Sequence, residues 1–111
     1  MQVAVTGGSG QLGTLVLRRL IRDRAVKRIV SLDVRPPMVA SPKLHAVIAD
    51  VRDTDLARRF EGCEALAHLA FLVAASPPRD VFWSVNVEGS KNVFRAAVSA
   101  GIQRIDRKSV V

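Results

Sequence analysis

The chain lacks tyrosine altogether, which excludes any mechanism that needs a phenolic acid or base among these 111 residues. It has one cysteine, Cys63, so an internal disulfide is excluded and a reducing compartment is indicated. It has no apolar run of about 18 residues, the length of a membrane span. Two histidines and one cysteine do not suffice for a zinc cluster. We therefore expect a cytoplasmic chain with no metal site and no membrane contact.

Acidic residues are few beside basic ones, 10 against 17, which gives a net charge of +7. Such a charge permits contact with nucleic acid or an anionic surface. The arginines are dispersed, however, and aromatic residues make up only 5% of the chain. The sequence shows no motif that would recognise bases in a DNA groove and no group of aromatic residues on which bases could stack. Nucleic acid is therefore not an expected partner.

Short apolar segments alternate with amphipathic ones along a chain that is 49% hydrophobic. Strands are predicted over residues 2–6, 28–33, 44–49, 64–70 and 102–111, and helices over 11–23, 53–60 and 79–100. This alternation predicts an α/β fold, namely a Rossmann-type doubly wound parallel sheet that is truncated after about five strands. One domain, residues 1–111, is expected, and an eight-stranded barrel is excluded because it needs about 250 residues.

The helical periodicity makes further predictions about packing. Leu12, Leu15, Val16 and Leu20 have the spacing of a single apolar face on the first helix. The long helix over 79–100 is expected to bend near Gly89 and to end at Gly101 as a C-cap.

A glycine-rich loop follows the first predicted strand and opens the first predicted helix. Gly8, Gly10 and Gly13 satisfy the pattern G-x-G-x-x-G, and Gly7, Gly10 and Gly13 satisfy G-x-x-G-x-x-G. Such a loop needs glycine dihedrals and a surface without side chains, so that a pyrophosphate can approach the start of the helix. The loop therefore predicts a dinucleotide site, whereas the Gly-Lys pair of a P-loop is missing from the sequence.

Asp33 ends the second predicted strand, twenty residues after Gly13. A carboxylate at this point can accept hydrogen bonds from the hydroxyls of an adenosine ribose, which favours NAD. Arg35 lies two residues further on and could instead bind the 2′-phosphate of NADP. NAD is the predicted cofactor, with NADP as the alternative, and a plain tight turn with a solvated Asp33 is the non-functional interpretation.

The loop and four later segments resemble the N-terminal part of the extended short-chain dehydrogenases/reductases, the NAD-dependent epimerase/dehydratase family. The resemblance covers residues 1–105. Its motifs are Thr6-Gly7-Gly8-Ser9-Gly10-Gln11-Leu12-Gly13, Leu32-Asp33, Ala49-Asp50-Val51-Arg52-Asp53, His68-Leu69-Ala70 and Asn86-Val87-Glu88-Gly89-Ser90-Lys91-Asn92. Motifs that occur in this order and at these spacings are far more specific than a lone glycine pattern.

The resemblance implies roles for individual residues. Gly7, Gly10, Gln11 and Leu12 would face the pyrophosphate and the nearby ribose. Asp50 would bind the adenine amino group and Val51 would cover the ring, whereas Leu69 and Ala70 would pass beneath the ribose and pyrophosphate. Asn86 would support the active-site strand. As alternatives, Asp50 and Asp53 could cap the short helix that follows, Asn86 could bridge backbone groups, and His68 is interpreted as a core residue rather than a base.

In this family a Tyr-x-x-x-Lys pair supplies the acid and base, and no such pair occurs here, so no catalytic residue is assigned. Residues 106–111 also depart from the family pattern, because three consecutive charges begin at Asp106. Such a strand is expected to fray or to lie at an exposed edge. We expect the dinucleotide-binding portion of a hydride-transferring enzyme, not catalytic alone, whose small-molecule substrate binds only a full-length form. A non-catalytic nucleotide-sensing or interaction module is the alternative, and oligomers could form through an exposed edge or helix face.

Overall fold

The structure is a computed structural model that describes residues 1–70 and 79–107. Within these residues, five strands alternate with helices. The strands are β1 (Gln2–Thr6), β2 (Arg28–Asp33), β3 (Leu44–Ile48), β4 (Ala65–His68) and β5 (Arg104–Arg107). The helices are α1 (Gln11–Arg22), α2 (Leu56–Arg59), α3 (Arg79–Trp83) and α4 (Ser90–Ser99), with a π-helical segment, Ser84–Gly89, between the last two. The last four residues of the strand predicted over 102–111 lie outside the described residues.

The strands form a parallel sheet in the order β3-β2-β1-β4-β5. This order confirms the predicted Rossmann-type fold, in which the chain crosses from one side of β1 to the other. The last residue of β1, Thr6, is level with Leu32 of β2 and with His68 of β4. The carboxyl ends of β1, β2 and β4 therefore meet at one edge, where ligands bind in open α/β sheets.

Both faces of the sheet are covered, as the alternation of side chains along β1 shows. Val3 and Val5 join Leu17, Val26 and Ile29 in one buried cluster. Ala4 belongs to the other cluster, whose larger members include Phe60, Leu66 and Val93. Successive strand residues point to opposite faces, so β1 is buried on both sides and reads as a continuous apolar run.

The prediction for the apolar face of α1 was wrong in part. Leu12 and Leu15 are 43% and 63% exposed, whereas Leu17 is fully buried. Leu17 shares its face with Gly13, which is also buried. Because Gly13 has no side chain, α1 can approach the glycine loop closely at this residue. The side of α1 that carries Gly13 and Leu17 therefore faces the protein interior.

The predicted bend near Gly89 corresponds to the π-helical segment, which ends at that glycine. At the other end of α4, the predicted C-cap is confirmed. Gly101 has a φ of +81°, which favours glycine, and the Ile102 N–H donates to the Ala97 carbonyl at 3.0 Å.

The edge strand β5 pairs with β4 alone among the described strands, from Ala65↔Arg104 to His68↔Arg107. Arg104, Ile105 and Asp106 are exposed, so the charges of Arg104 and Asp106 stay in water. This arrangement agrees with the expected exposed edge. Within the described residues, none of the helices has the length and apolar character to cross a membrane.

Candidate functional site

The glycine loop begins with a backbone turn that fits tightly against the next strand. Gly7 has a φ of +77°, and its N–H donates to the Leu32 carbonyl of β2 at 3.1 Å. A Cβ on Gly7 would lie 2.6 Å from backbone atoms of both Leu69 and Ala70. Gly7 is therefore required by its conformation and by the packing of the residues that follow β4.

Gly13 and Gly10 lack side chains for different reasons. A Cβ on Gly13 would lie 2.0 Å from the Gly7 carbonyl oxygen, so the close contact between α1 and the loop excludes one. A Cβ on Gly10 would come no nearer than 3.7 Å to that same oxygen, and the Gly10 φ is −77°. The expectation of glycine-only dihedrals thus holds at Gly7 and not at Gly10, where the fold leaves room for a side chain that the sequence does not supply.

The start of α1 directs unpaired backbone donors toward this open surface. Gly10 is the N-cap residue, and the first helical bond runs from the Thr14 N–H to the Gly10 carbonyl at 2.8 Å. In the described chain, no side-chain hydrogen bond caps this end and its first turn holds no acidic residue. The N–H groups of Gln11, Leu12 and Gly13 precede that first bond, so the positive end of the helix dipole can attract an anion.

Asp33 is fixed at the mouth of the site by the loop itself. Its Oδ2 accepts hydrogen bonds from the Ser9 N–H at 3.0 Å and from the Ser9 hydroxyl at 2.5 Å. Its Oδ1 accepts from the Val34 N–H at 2.7 Å. The carboxylate therefore has a defined orientation while its remaining lone pairs can accept further donors.

These groups border a cleft of about 360 Å³ at the carboxyl ends of the strands. Eight predicted site residues line it, drawn from the loop, from the ends of β2 and β4 and from the segment after β3. They are Gly7, Gly10, Asp33, Arg35, Asp50, Val51, Leu69 and Ala70. The structure thus brings together residues from four separate motifs.

Four predicted residues are outside the described lining of this cleft. Gln11 and Leu12 are exposed at the start of α1, and Gly13 is buried against Gly7. Asn86 lies in the π-helical segment, where its carbonyl accepts a hydrogen bond from the Ser90 hydroxyl at 2.6 Å.

Sequence reasoning missed several lining residues: Ser9, Leu32, Val34, Ala49 and Val85. Ser9 was detectable, because it is the polar member of the glycine loop itself. Leu32, Val34 and Ala49 adjoin predicted residues, and their apolar character alone does not distinguish them from core. Val85 carries no functional signal in the sequence.

Asp50 forms an ion pair with Arg52 at the side of the cleft. Its Oδ2 lies 2.7 Å from Arg52 Nη2, and its Oδ1 accepts from Arg52 Nε at 3.0 Å. The hydrogen bonds from the Arg52 side chain hold the pKa of the Asp50 carboxyl below its ordinary value, against the opposing effect of burial. α2 begins at Leu56 with Asp55 as its N-cap residue, so the alternative that Asp50 or Asp53 caps this helix is wrong.

His68 is a fully buried residue with a partner on each ring nitrogen. Its Nδ1 lies 2.6 Å from Thr6 Oγ1, and its Nε2 lies 2.9 Å from Ser90 Oγ. Ser90 donates its proton to the Asn86 carbonyl, so Nε2 must donate to Ser90 and Nδ1 must accept from Thr6. Burial lowers the pKa of His68 to about 4, which keeps the ring neutral, in accord with a core residue.

The profile of the 3-beta hydroxysteroid dehydrogenase/isomerase family matches residues 4–109. The chain belongs to that family. This match, together with the neighbours below, confirms the resemblance to the short-chain dehydrogenases/reductases of the epimerase/dehydratase type.

Curated relatives of this 3-beta hydroxysteroid dehydrogenase/isomerase family member include two enzymes with different substrates in their names. A putative dihydroflavonol 4-reductase of Synechocystis sp. is 31% identical over 102 residues, which cover 90% of this chain and 30% of the relative. The L-arabinose 1-dehydrogenase (NAD(P)(+)) of Haloferax volcanii is 36% identical over 109 residues, which cover 94% of this chain and 39% of the relative. The chain thus spans about a third of the length of these relatives.

Solved structures show the same architecture. The uronate dehydrogenase of Agrobacterium tumefaciens superposes with a TM-score of 0.83 at 28% identity, over 97% of this chain and 40% of that enzyme. A mutant of the same dehydrogenase, complexed with NAD, gives the same values. A dTDP-glucose 4,6-dehydratase (DesIV) of Streptomyces venezuelae, with NAD bound, superposes with a TM-score of 0.76 at 31% identity, over 95% of this chain and 38% of that enzyme.

Proposed function

We propose that this chain is the dinucleotide-binding portion of an oxidoreductase, epimerase or dehydratase. One observation carries the proposal: Gly10, which has an open surface and is the N-cap residue of α1, borders the same cleft as the oriented carboxylate of Asp33. Dinucleotide sites combine these three features, since they pair an anion-binding helix end with a carboxylate for the ribose.

The residues present fit NAD as the cofactor. The pyrophosphate would lie over Gly10 near the N–H groups of Gln11 and Leu12, where a side chain is missing although the fold would accept one. Asp33 would accept the ribose hydroxyls through the lone pairs that Ser9 and Val34 leave open. NADP is the alternative, because the Arg35 side chain also borders the cleft and can pair with a 2′-phosphate.

The adenosine half would occupy the side of the cleft formed by the segment after β3 and the residues after β4. Asp50 would accept from the adenine amino group and Val51 would cover the ring. Leu69 and Ala70, which directly follow β4, would lie beneath the ribose and pyrophosphate. Gly13 and Asn86 would act indirectly, Gly13 through the position of α1 and Asn86 through the π-helical segment.

In a longer protein, bound nicotinamide would exchange a hydride with a hydroxyl-bearing carbon of a small-molecule substrate. The 111 residues contain no tyrosine to move the accompanying proton, so we propose that this chain alone does not catalyse the reaction. A non-catalytic nucleotide-sensing or interaction module is the second candidate, and the same missing tyrosine favours it.

The deciding experiment is titration calorimetry of the chain with NAD and with NADP, alongside duplex DNA at two salt concentrations. We expect saturable NAD binding that is tighter than NADP binding. Salt-sensitive DNA binding without nucleotide binding would contradict the proposal, because counterion release is typical of nucleic-acid binders.

We further propose a cytoplasmic location and self-association. Cys63, the single cysteine, is free and buried, which suits a reducing compartment.

The edge strand β5 and exposed apolar side chains offer surfaces for the proposed self-association. The exposed side chains include Trp83 at 59% and Val98 at 73%. A single sharp monomer peak in light scattering across a concentration series would contradict self-association.

A further inference from the structure

The segment 50–53 forms one wall of the cleft although it belongs to no strand or helix. Its backbone N–H groups make three hydrogen bonds within the segment, one of which runs from the Arg52 N–H to Asp50 Oδ1 at 2.9 Å. The Asp53 N–H donates to the Asp50 carbonyl at 2.9 Å, and Asp53 Oδ2 accepts from the Asp50 N–H at 3.0 Å. These bonds fix the turn internally, but they do not fix where the turn sits relative to the sheet.

Asn92 of α4 fixes this position through two hydrogen bonds, beside a longer one from Arg52 Nη1 to Ser84 Oγ at 3.3 Å. Its Nδ2 lies 2.9 Å from the Val51 carbonyl oxygen and 2.6 Å from the Asp53 carbonyl oxygen. An amide nitrogen carries two protons, so Asn92 donates one to each carbonyl. Both acceptors belong to the turn, and the donor belongs to a regular helix.

Gly89, three residues before Asn92, brings the helix close enough for these bonds. A Cβ on Gly89 would lie 2.5 Å from Val51 Cγ2, so this position packs directly on the side chain that lines the cleft. Gly89 also ends the π-helical segment, whose wider winding shifts the register of the residues that follow.

The same end of α4 also contacts the strand that leads to the other wall. Ser90 accepts from Nε2 of His68, the last residue of β4, and Leu69 and Ala70 follow directly into the cleft. The Leu69 and Ala70 N–H groups donate to Thr6 Oγ1 at 3.1 and 3.3 Å. The first turn of α4 therefore links both walls of the adenosine side to each other.

We propose that Asn92 is a positioning residue for dinucleotide binding, which sets where Asp50 and Val51 meet the adenine. This inference rests on the proposed function of the cleft. Asn92 does not touch the nucleotide; it acts through the two carbonyls of the turn. Its loss would displace the adenine contacts and leave the contacts of Gly10 and Asp33 in place.

The test compares Asn92→Asp and Asn92→Ala with the unaltered chain. Asn92→Asp is nearly isosteric but places a carboxylate oxygen against one or both carbonyls, which it cannot pair with. Val26→Ala is the control, because Val26 is buried in the cluster on the other face of the sheet and its truncation destabilises the fold without touching the turn.

The decisive measurement is the ratio of affinities for NAD and for nicotinamide hypoxanthine dinucleotide, which lacks the adenine amino group. The unaltered chain should prefer NAD by about tenfold through Asp50, as for one hydrogen bond to a charged group. In both Asn92 variants the ratio should fall toward one, whereas Val26→Ala should retain it. An unchanged ratio in both Asn92 variants would overturn the proposal.

Amide hydrogen exchange without nucleotide separates this inference from the proposed function. The Arg52 and Asp53 N–H groups are bonded within the turn and should exchange about tenfold faster in Asn92→Asp than in Val26→Ala. Unchanged exchange at both sites would refute the role of Asn92 whether or not nucleotide binds. An unaltered chain that binds neither dinucleotide would instead refute the proposed function.

Discussion

Ser9 and Asp33 are joined by two hydrogen bonds to one oxygen atom, since both the N–H and the hydroxyl of Ser9 approach Oδ2 of Asp33. The glycine loop therefore holds the carboxylate at the end of β2 through a side chain and a backbone group of its own. A loop residue and a strand residue that are 24 positions apart form one polar unit at the cleft mouth.

Substitution of Asp33 tests this unit. Asp33→Ala should weaken NAD binding by about 1.5–3 kcal/mol, or roughly 10- to 150-fold, because hydrogen bonds to a charged group are lost. Calorimetry measures the change. Asp80→Ala, at an exposed carboxylate in the first turn of α3, is the matched control and should leave the affinity unchanged. Equal NAD affinity in Asp33→Ala and the unaltered chain would refute the ribose assignment.

Gly10 and Gly13 should respond in opposite ways to alanine. Gly10→Ala has room for its Cβ, so the free energy of unfolding should change by less than about 1 kcal/mol while NAD affinity falls. Gly13→Ala would force its Cβ against the Gly7 carbonyl and should destabilise the fold by about 1–3 kcal/mol. Denaturant unfolding and calorimetry on both variants check this contrast. Full NAD affinity in a folded Gly10→Ala variant would mean that the ligand does not lie over Gly10.

The buried His68 should make stability depend on pH. Its pKa is about 4 in the fold and about 6.5 in the unfolded chain, so the unfolded state binds the proton more readily. The contribution of the neutral His68 to the free energy of unfolding is therefore fully present above pH 6.5. It is lost as the pH drops from 6.5 to 4. Between pH 7 and pH 5 the loss should be about 2 kcal/mol by denaturant unfolding.

The exposed His45 provides the comparison for this pH effect. His45→Gln is the matched histidine substitution, because His45 is exposed on β3 and its replacement leaves the buried contacts of His68 in place. Stability that is flat from pH 7 to pH 5 would show that His68 is not buried as described.

The purified chain should show no turnover, since none of its 111 residues is a tyrosine. Absorbance of reduced nicotinamide, followed with a panel of hydroxyl-bearing substrates, measures this directly. Sustained NAD reduction by the pure chain would mean that another group moves the proton, and it would contradict the argument from the missing tyrosine.

Much of the fold could be predicted from local patterns. The bounds of β1 and β2 were predicted to the residue, because each is an apolar run between glycines, charges or turn residues. The buried side of α1 could not be predicted, because Leu12, Leu15 and Leu17 are equally apolar. The close contact of Gly13 with Gly7, which is a tertiary interaction, decides between them.

The position of a residue at the cleft was predictable where a recognisable motif contains it, as at Gly10 and Asp33, which both line the cleft. It was not predictable where residues act across the fold. In the sequence, Asn92 looks like any polar residue on a helix. Its role depends on the packing of α4 beside the turn, because its two acceptors are about 40 positions earlier in the chain. Single-sequence periodicity contains no information on such pairings.

The sheet order has a consequence for how the cleft comes into being. Its lining runs from Gly7 to Val85, and the strands that bring these residues together flank β1 on both sides. The cleft therefore forms only when segments that are distant in the chain have docked, and non-local contacts of this kind are generally slow to form. A nucleotide that bound there would bind the folded chain and not the unfolded one, and at a hundredfold excess over its dissociation constant it would add about 2.7 kcal/mol to the free energy of unfolding. If the proposed site binds a dinucleotide, the folded fraction of the chain will rise with the dinucleotide concentration.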